Sequence, residues 1–492
     1  MRIPLLDKEL WYGGAVCHGI DQPYTATSKC EVRLHMNETP NQSMPLLLSS
    51  KGRYLWREDG FIVRFVGGAI ECDVAVELAS AEERTLRGAY LAAMKRHFPF
   101  AGGAPDSRFF SGPVYNTWIE LIFHQSQQGV LKYAQDILDH GLPPGVLMID
   151  DGWSSYYGRW SFDREKFPDA PGMLRQLHEM GFTIMVWVCP FITPDTLEYR
   201  ALEERDLLVR TAEGEVHIAR WWNGWSALLD LRKTEAAEWL RDRLGELEKI
   251  GVDGFKFDAG DSIYYPEDGD VQCAAWARFG TTYPLNEFRA SWLAGGLPLM
   301  QRLCDKHPTW DERGLDALVP DAIIAGLTGH PYVCPDMIGG GEYQSFLQQD
   351  AVDEELFLRW SEVACLMPVM QFSAAPWRVL SPESFELVRQ TVATRVHWQA
   401  YLDDALADCR ATGEPVLRPL LYEFPEEECG SIMDTFMVGK RLLVAPLLKK
   451  GQTSRKVFLP AGKWQGWDGF VYSGGETEVL ASPGVPLCFL RV

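Results

Sequence analysis

The sequence predicts an α/β fold: a closed (β/α)8 barrel carried between an N-terminal antiparallel β domain and a C-terminal β-sandwich domain. Three observations predict it. From Pro113 to about residue 410, short apolar runs alternate with amphipathic stretches, the signature of repeated strand–helix units and so of a parallel sheet. Glycines such as Gly141, Gly181 and Gly251 close the amphipathic stretches, where a helix ends on a left-handed residue. Seven or eight such units over roughly 300 residues favour closure into a barrel over an open sheet.

The elements follow in order. Residues 1–105 form the N-terminal β domain, with alternating runs at 30–35, 45–48, 54–56, 61–66 and 70–78 separated by Gly, Pro, Asn and Asp, an antiparallel pattern. A helix over 82–97 leads out of it. Residues 106–410 form the barrel, with strands expected at 114–121, 145–150, 183–189, 254–258 and 370–372 and a further strand leading from 332–333 into Pro335-Asp336-Met337. Helices are expected over 127–140, 172–180, 235–250, 285–304, 354–367 and 382–409. An insertion near 190–232 carries Trp221, Trp222 and Trp225; it reads as a lid over the barrel mouth or as a small packed subdomain. Residues 411–492 return to β texture, with runs at 432–438, 442–446, 456–459 and 486–492, read as a sandwich.

Composition narrows the function. The 492 residues carry a formal charge of −21, which argues against nucleic acid and anionic membrane as partners, since both select a basic face. Eleven Cys include no Cys-x-x-Cys pair, so the chain is expected to hold reduced thiols in the cytoplasm and neither a disulfide framework nor a zinc site. No His/Asp/Glu spacing suggests a metal and no glycine-rich phosphate loop follows a strand, so no cofactor is expected. The opening residues show no secretory leader, and no window is apolar enough to span a membrane.

The chemistry concentrates at predicted strand ends. In VDGFKFDAGD (252–261) a buried strand delivers Lys256 and Asp258 to one face. Asp150 and Asp151 end the preceding acidic strand in Ile-Asp-Asp-Gly-Trp, and Trp187, Trp310, Asp311, Asp336 and Gln371 occupy equivalent positions. The C-terminal end of a parallel barrel is where catalytic side chains collect. Acids with Trp at one mouth suit glycoside cleavage: one carboxylate attacks the anomeric carbon and a second carboxyl protonates the leaving oxygen. Lys256 beside Asp258 favours an ionised nucleophile.

Four motifs in order resemble glycoside hydrolase family 31: FKFDAGD (255–261), PDMIGG (335–340), MPVMQFSAAPW (367–377) and FMVGKRLLVAPLLKKGQTSRKVFLPAGKW (436–464). The resemblance implies a TIM barrel and a retaining α-glycosidase. It implies Asp258 as the nucleophile and Asp336 as a substrate-binding residue. It places the acid/base in the loop 307–314, whose HPTWDERG departs from the Arg-Trp-Ser-Gly-Asp of many members; Asp311 is the candidate, with Glu312 its neighbour and competitor. Asp150, Asp151, Trp187, Lys256 and Trp310 complete the expected substrate-binding set. The Asp150-Asp151 pair resembles the turn that holds a galactose in related barrels, so an α-galactoside is the expected substrate. An α-glucoside, a xyloside or a sulfoquinovoside, and a catalytically inactive sugar-binding barrel, are the alternatives. The partner is then a small α-linked carbohydrate. The N-terminal β region is shorter than the family usually carries, which raises the expectation of a homo-oligomer whose partner subunit completes the pocket.

Overall fold

The computed structural model describes residues 1–35, 42–348 and 352–492. These form two compact units, Pro105–Ala294 and a second made from Met1–Ala104 with Gly295–Val492.

Pro105–Ala294 contains five parallel strands: β1 (Val114–Asn116), β2 (Val146–Ile149), β3 (Thr183–Val188), β4 (Gly254–Phe257) and β5 (Asn286–Phe288). Each pairs with the next in register, Met148 with Asn116, Ile149 with Val186, Trp187 with Lys256 and Phe257 with Phe288. Their residues are almost all buried, which explains why they read as continuous apolar runs instead of alternating ones. The connecting helices bury one stripe each. Gln127–Asp139 turns Val130, Tyr133, Ala134 and Ile137 inward, and the Ser126 hydroxyl caps it by accepting from the Gly129 N–H at 3.1 Å. Ala170–Glu179 is capped in the same way by Asp169 and carries Pro171 in its first turn. Thr234–Lys249 buries Ala236, Leu240, Leu244 and Leu247 at helical spacing.

Two expected elements are corrected. The strand expected over 114–121 stops at Asn116, because the Asn116 carboxamide oxygen accepts from the Trp118 N–H at 2.8 Å and folds the chain into the short helix Trp118–Leu121. The helix expected over 285–304 is instead three short strands, Asn286–Phe288, Ser291–Trp292 and Met300–Arg302. Leu293 there adopts a positive φ of 49°, and the Gly295-Gly296 pair with Pro298 removes what a continuous helix would need. The insertion is a packed subdomain, a three-stranded antiparallel sheet of Phe191–Ile192, Gly224–Leu228 and Ile218–Trp221.

The second unit begins with two antiparallel sheets. One has the order Arg2–Pro4, Ala69–Cys72, Ile62–Val66, Cys30–Arg33. The other pairs Trp11–Ala15, Gln42–Ser49, Arg53–Trp56 and Glu77–Ser80. Met300–Arg302 and Val333–Cys334 pair in parallel, and Met337 bridges Gln371 in parallel. The 31-residue helix Pro382–Thr412 follows, capped by Ser381 and ended by Gly413 at φ 74°. The C-terminal region is a six-stranded antiparallel sheet, ordered Leu417–Pro419, Phe436–Val438, Leu442–Val444, Cys488–Arg491, Ser454–Gly466, Val471–Leu480. All eleven Cys are free thiols. Among the described residues no helix is long and apolar enough to cross a membrane.

Candidate active site

Parallel register puts the side chains of Pro105–Ala294 into layers. Trp187 of β3, Lys256 of β4 and Glu287 of β5 are aligned, and Asp150 follows the last residue of β2. All four are nearly or fully buried. Lys256 Nζ donates to Asp150 Oδ2 at 2.7 Å and stands 4.0 Å from Asp258 Oδ2. The nearer partner of the lysine is therefore Asp150, an ion pair removed from water at both ends. Such a pair is stable only while both charges are present.

Asp258 follows β4 directly. Its Oδ2 accepts from the Trp187 indole N–H at 2.7 Å, and its Oδ1 accepts from the Ala259 N–H at 2.8 Å. Arg289 Nε lies 2.8 Å from the same Oδ1. Trp187 is itself held by Trp153, whose indole N–H donates to the Trp187 carbonyl at 2.8 Å. Past Asp258 the backbone turns left-handed twice, at Ala259 (φ 55°) and Gly260 (φ 81°). A Cβ on Gly260 would meet Trp276 at 2.3 Å, so glycine is required there for space as well as for conformation. The turn aims a carboxylate with two nearby cations and two N–H donors.

Asp151 has a different environment. Its Oδ2 accepts from the Tyr157 hydroxyl at 3.0 Å and from the Asn223 carboxamide at 2.6 Å, and Asn223 also donates to the Tyr157 oxygen at 2.8 Å. Burial, then the neighbouring Asp150 charge, pushes the carboxyl up from 3.8 to about 7, against the Tyr157 bond that lowers it. Asp151 thus exchanges its proton near neutrality.

Arg289, Tyr157 and Asn223 were not expected from the sequence. Arg289 is the residue after β5, the same strand-end position that identified Asp258. The helical reading of 285–304 concealed it. It also pairs with Asp261 and sits 4.7 Å over the ring of Trp222. Asp261 precedes the 3-10 turn Ser262–Tyr264 but makes no side-chain cap there, and its carboxylate is taken up by this ion pair instead. Trp222 is 43% exposed, whereas Trp221 is buried and stacks on Phe191 at 4.0 Å.

In the other unit, Asp336 is wholly buried at φ 75°. Its Oδ1 accepts from Arg302 at 2.7 Å, and its Oδ2 accepts from the N–H groups of Lys306 at 2.8 Å and Gly341 at 2.9 Å. Burial raises its pKa to about 6 against the pull of Arg302. Lys306 is buried on Asp321, so the strand end and the loop behind it are pinned twice. Asp311 is 39% exposed. Arg313 donates to its Oδ2 at 2.8 Å and the Thr309 hydroxyl to its Oδ1 at 2.6 Å; Arg313 first, then Thr309, lowers its pKa to about 2. Trp310 donates to Asp353 Oδ2 at 3.0 Å, an oxygen shared with Lys450 at 2.7 Å. Among the described residues no group of three or more His, Cys, Asp or Glu is placed to hold a metal.

Residues 113–291 match the TIM-barrel domain of glycosyl hydrolases family 31, and residues 413–489 match the C-terminal domain of that family. The chain is 35% identical over 406 residues to the myogenesis-regulating glycosidase of Mus musculus, covering 79% of this chain and 56% of that protein. It is 25% identical over 450 residues to α-glucosidase 2 of Bacillus thermoamyloliquefaciens, covering 78% of this chain and 56% of the relative. The chain therefore spans little more than half the length of these relatives. All of it is covered by a sulfoquinovosidase from E. rectale (TM-score 0.84, 18% identity, 82% of that chain). The same holds for an α-xylosidase from a soil metagenome (TM-score 0.86, 21% identity, 79% of that chain). The fold class is the expected one, a TIM barrel with an N-terminal antiparallel β region and a C-terminal β domain. On its own residues, from the FKFDAGD strand end to the C-terminal sheet, the chain belongs to glycosyl hydrolase family 31.

Proposed function

We propose that this chain is an exo-acting α-glycoside hydrolase that works with retention through a covalent glycosyl-aspartate. The observation that carries this reading is the setting of Asp258. It is an almost buried carboxylate at a parallel strand end, oriented by the Trp187 and Ala259 N–H groups and ion-paired to Arg289. Fixed donors on both oxygens hold a nucleophile in one geometry before substrate arrives. In the first step an Asp258 oxygen bonds to the anomeric carbon as the bond to the leaving oxygen breaks, and that oxygen takes a proton from a second carboxyl. In the second step water attacks the same carbon, gives its proton to that second group and frees Asp258.

The loop 307–314 supplies the second carboxyl in this reading, from Asp311 or Glu312. Asp311 stands as a carboxylate on Arg313. To act as the acid it must leave Arg313 when substrate binds. Asp151 supports the sugar-holding role. With its proton shared near neutrality it both donates to and accepts from hydroxyls, and Asp150, fixed by Lys256, stands beside it. The paired acids favour an α-galactoside. The relatives named as an α-glucosidase, an α-xylosidase and a sulfoquinovosidase define the other sugars to try.

The test is hydrolysis of aryl α-glycosides (galactoside, glucoside, xyloside, sulfoquinovoside), with Asp258→Asn as control and the first-formed anomer read by NMR. One sugar turned over with retention, and lost in Asp258→Asn, is the expected result. Appreciable turnover by Asp258→Asn would refute the nucleophile, and an inverted first product would refute the covalent step. Silence on every sugar, combined with binding of one, would make the chain a sugar-binding barrel.

A further inference from the structure

Away from the strand ends lies a cleft lined by two indoles. It has a volume of about 480 Å³ and is lined by Trp398, His397 and Thr394 from the helix Pro382–Thr412 and by Gln465 and Trp467 from the C-terminal sheet. Both indoles are partly exposed. Each is held by a neighbouring ring at nearly a right angle: Trp467 by Phe489 at 5.5 Å and 88°, Trp398 by Tyr401 at 5.9 Å and 87°. Their supports are fixed in turn. The backbone N–H of Trp467 donates to the Cys488 carbonyl at 3.1 Å, and the Tyr401 hydroxyl donates to the Val438 carbonyl at 2.8 Å. Each ring is thus backed by a second aromatic ring.

The described lining of the cleft also lacks carboxylate, ammonium and guanidinium groups. No Asp, Glu, Lys or Arg is among the described residues that line it, in a chain of net charge −21. Recognition there does not rest on a carboxylate, lysine or arginine of the lining. Indole faces with a carboxamide, a hydroxyl and an imidazole beside them suit a molecule with apolar C–H faces and a rim of hydroxyls. Its volume falls within the range of about 300–1,000 Å³ typical of small-ligand sites.

We propose that this cleft is a second carbohydrate site, which holds a neutral stretch of glycan on Trp398 and Trp467. It does not require the sugar specificity proposed above, because binding here is read without turnover. The test is affinity electrophoresis of the full chain in gels containing dextran or galactomannan, with excess monosaccharide to occupy the catalytic site. Retardation by at least one polysaccharide is expected. It should persist in Asp258→Asn and weaken about tenfold in apparent affinity, about 1.4 kcal/mol, in Trp467→Ala and in Trp398→Ala. Aryl glycoside hydrolysis and the circular dichroism of Trp467→Ala should match the parent. Retardation by neither polysaccharide, or equal retardation of the parent and both Trp variants, would overturn the second site. Loss of hydrolysis with retained retardation would strike only the catalytic reading.

Discussion

The proton on Asp151 makes a quantitative demand on stability. In the folded chain this carboxyl titrates at about 7, raised from 3.8 first by burial and then by Asp150. Between those two values the folded state binds more protons than the unfolded state. Stability therefore falls as pH rises through that window, and the full cost is reached once pH exceeds the folded value. A rise from 3.8 to about 7 amounts to about 4 kcal/mol, of which more than half develops between about pH 5 and pH 8. Asp151→Asn should remove this slope. The substitution is mild because Tyr157 and Asn223 both donate to a single oxygen, Oδ2, which an Asn oxygen can replace. Urea unfolding by Trp fluorescence, run on parent and variant across that range, reads the effect directly. The variant should gain on the parent steadily with pH, by about 2–3 kcal/mol over the interval. Parallel pH profiles would refute the assignment of a near-neutral proton to Asp151.

Other perturbations test the neighbouring parts. Lys256→Met strands the buried Asp150 carboxylate and should destabilise the chain by about 3–5 kcal/mol; Lys256→Met with Asp150→Asn should recover most of that loss, and equal midpoints for the single and double variants would disprove the coupling. Arg289→Gln removes the cation on Asp258 Oδ1, and kcat/KM should fall by about ten- to a hundredfold with KM little changed; a pure KM effect would instead make Arg289 a substrate contact. Gly260→Ala places a methyl on Trp276 and should displace the Asp258 turn, so kcat should fall more than ten-fold while a thermal melt shows a folded chain; wild-type kcat would show that the turn tolerates strain. Asp311→Asn should slow substrates with poor leaving groups far more than activated aryl glycosides, and that pattern in Glu312→Gln instead would move the acid to Glu312.

Much of the barrel was legible because burial on both faces leaves a continuous apolar run. That pattern located β2, β3 and β4 and, with them, Asp150, Asp151, Trp187, Lys256 and Asp258. It failed where apolar residues sit among breakers. In 285–304 a helical spacing of apolar residues survives in the sequence, although Gly295, Gly296 and Pro298 deny it a helix, and Arg289 was lost with the strand it follows. Asn116 ended a strand early through a two-residue side-chain turn, a local bond that periodicity does not register. Asn223 could not be found at all from its own surroundings. Its role comes from a hairpin tip meeting an acid 72 positions away in the chain.

That meeting bears on how such a site diversifies. Asn223 lies between the strands Ile218–Trp221 and Gly224–Leu228 of the inserted sheet, while the carboxyl that it holds follows a core strand. The hairpin pairs within the inserted sheet and not with the parallel strands. Its tip can be lengthened, shortened or recoded without disturbing the register of any parallel strand, and each change alters the hydrogen bonding and proton affinity of Asp151. With Asp151 in the sugar-holding role proposed above, selectivity among sugars is separated from the integrity of the barrel.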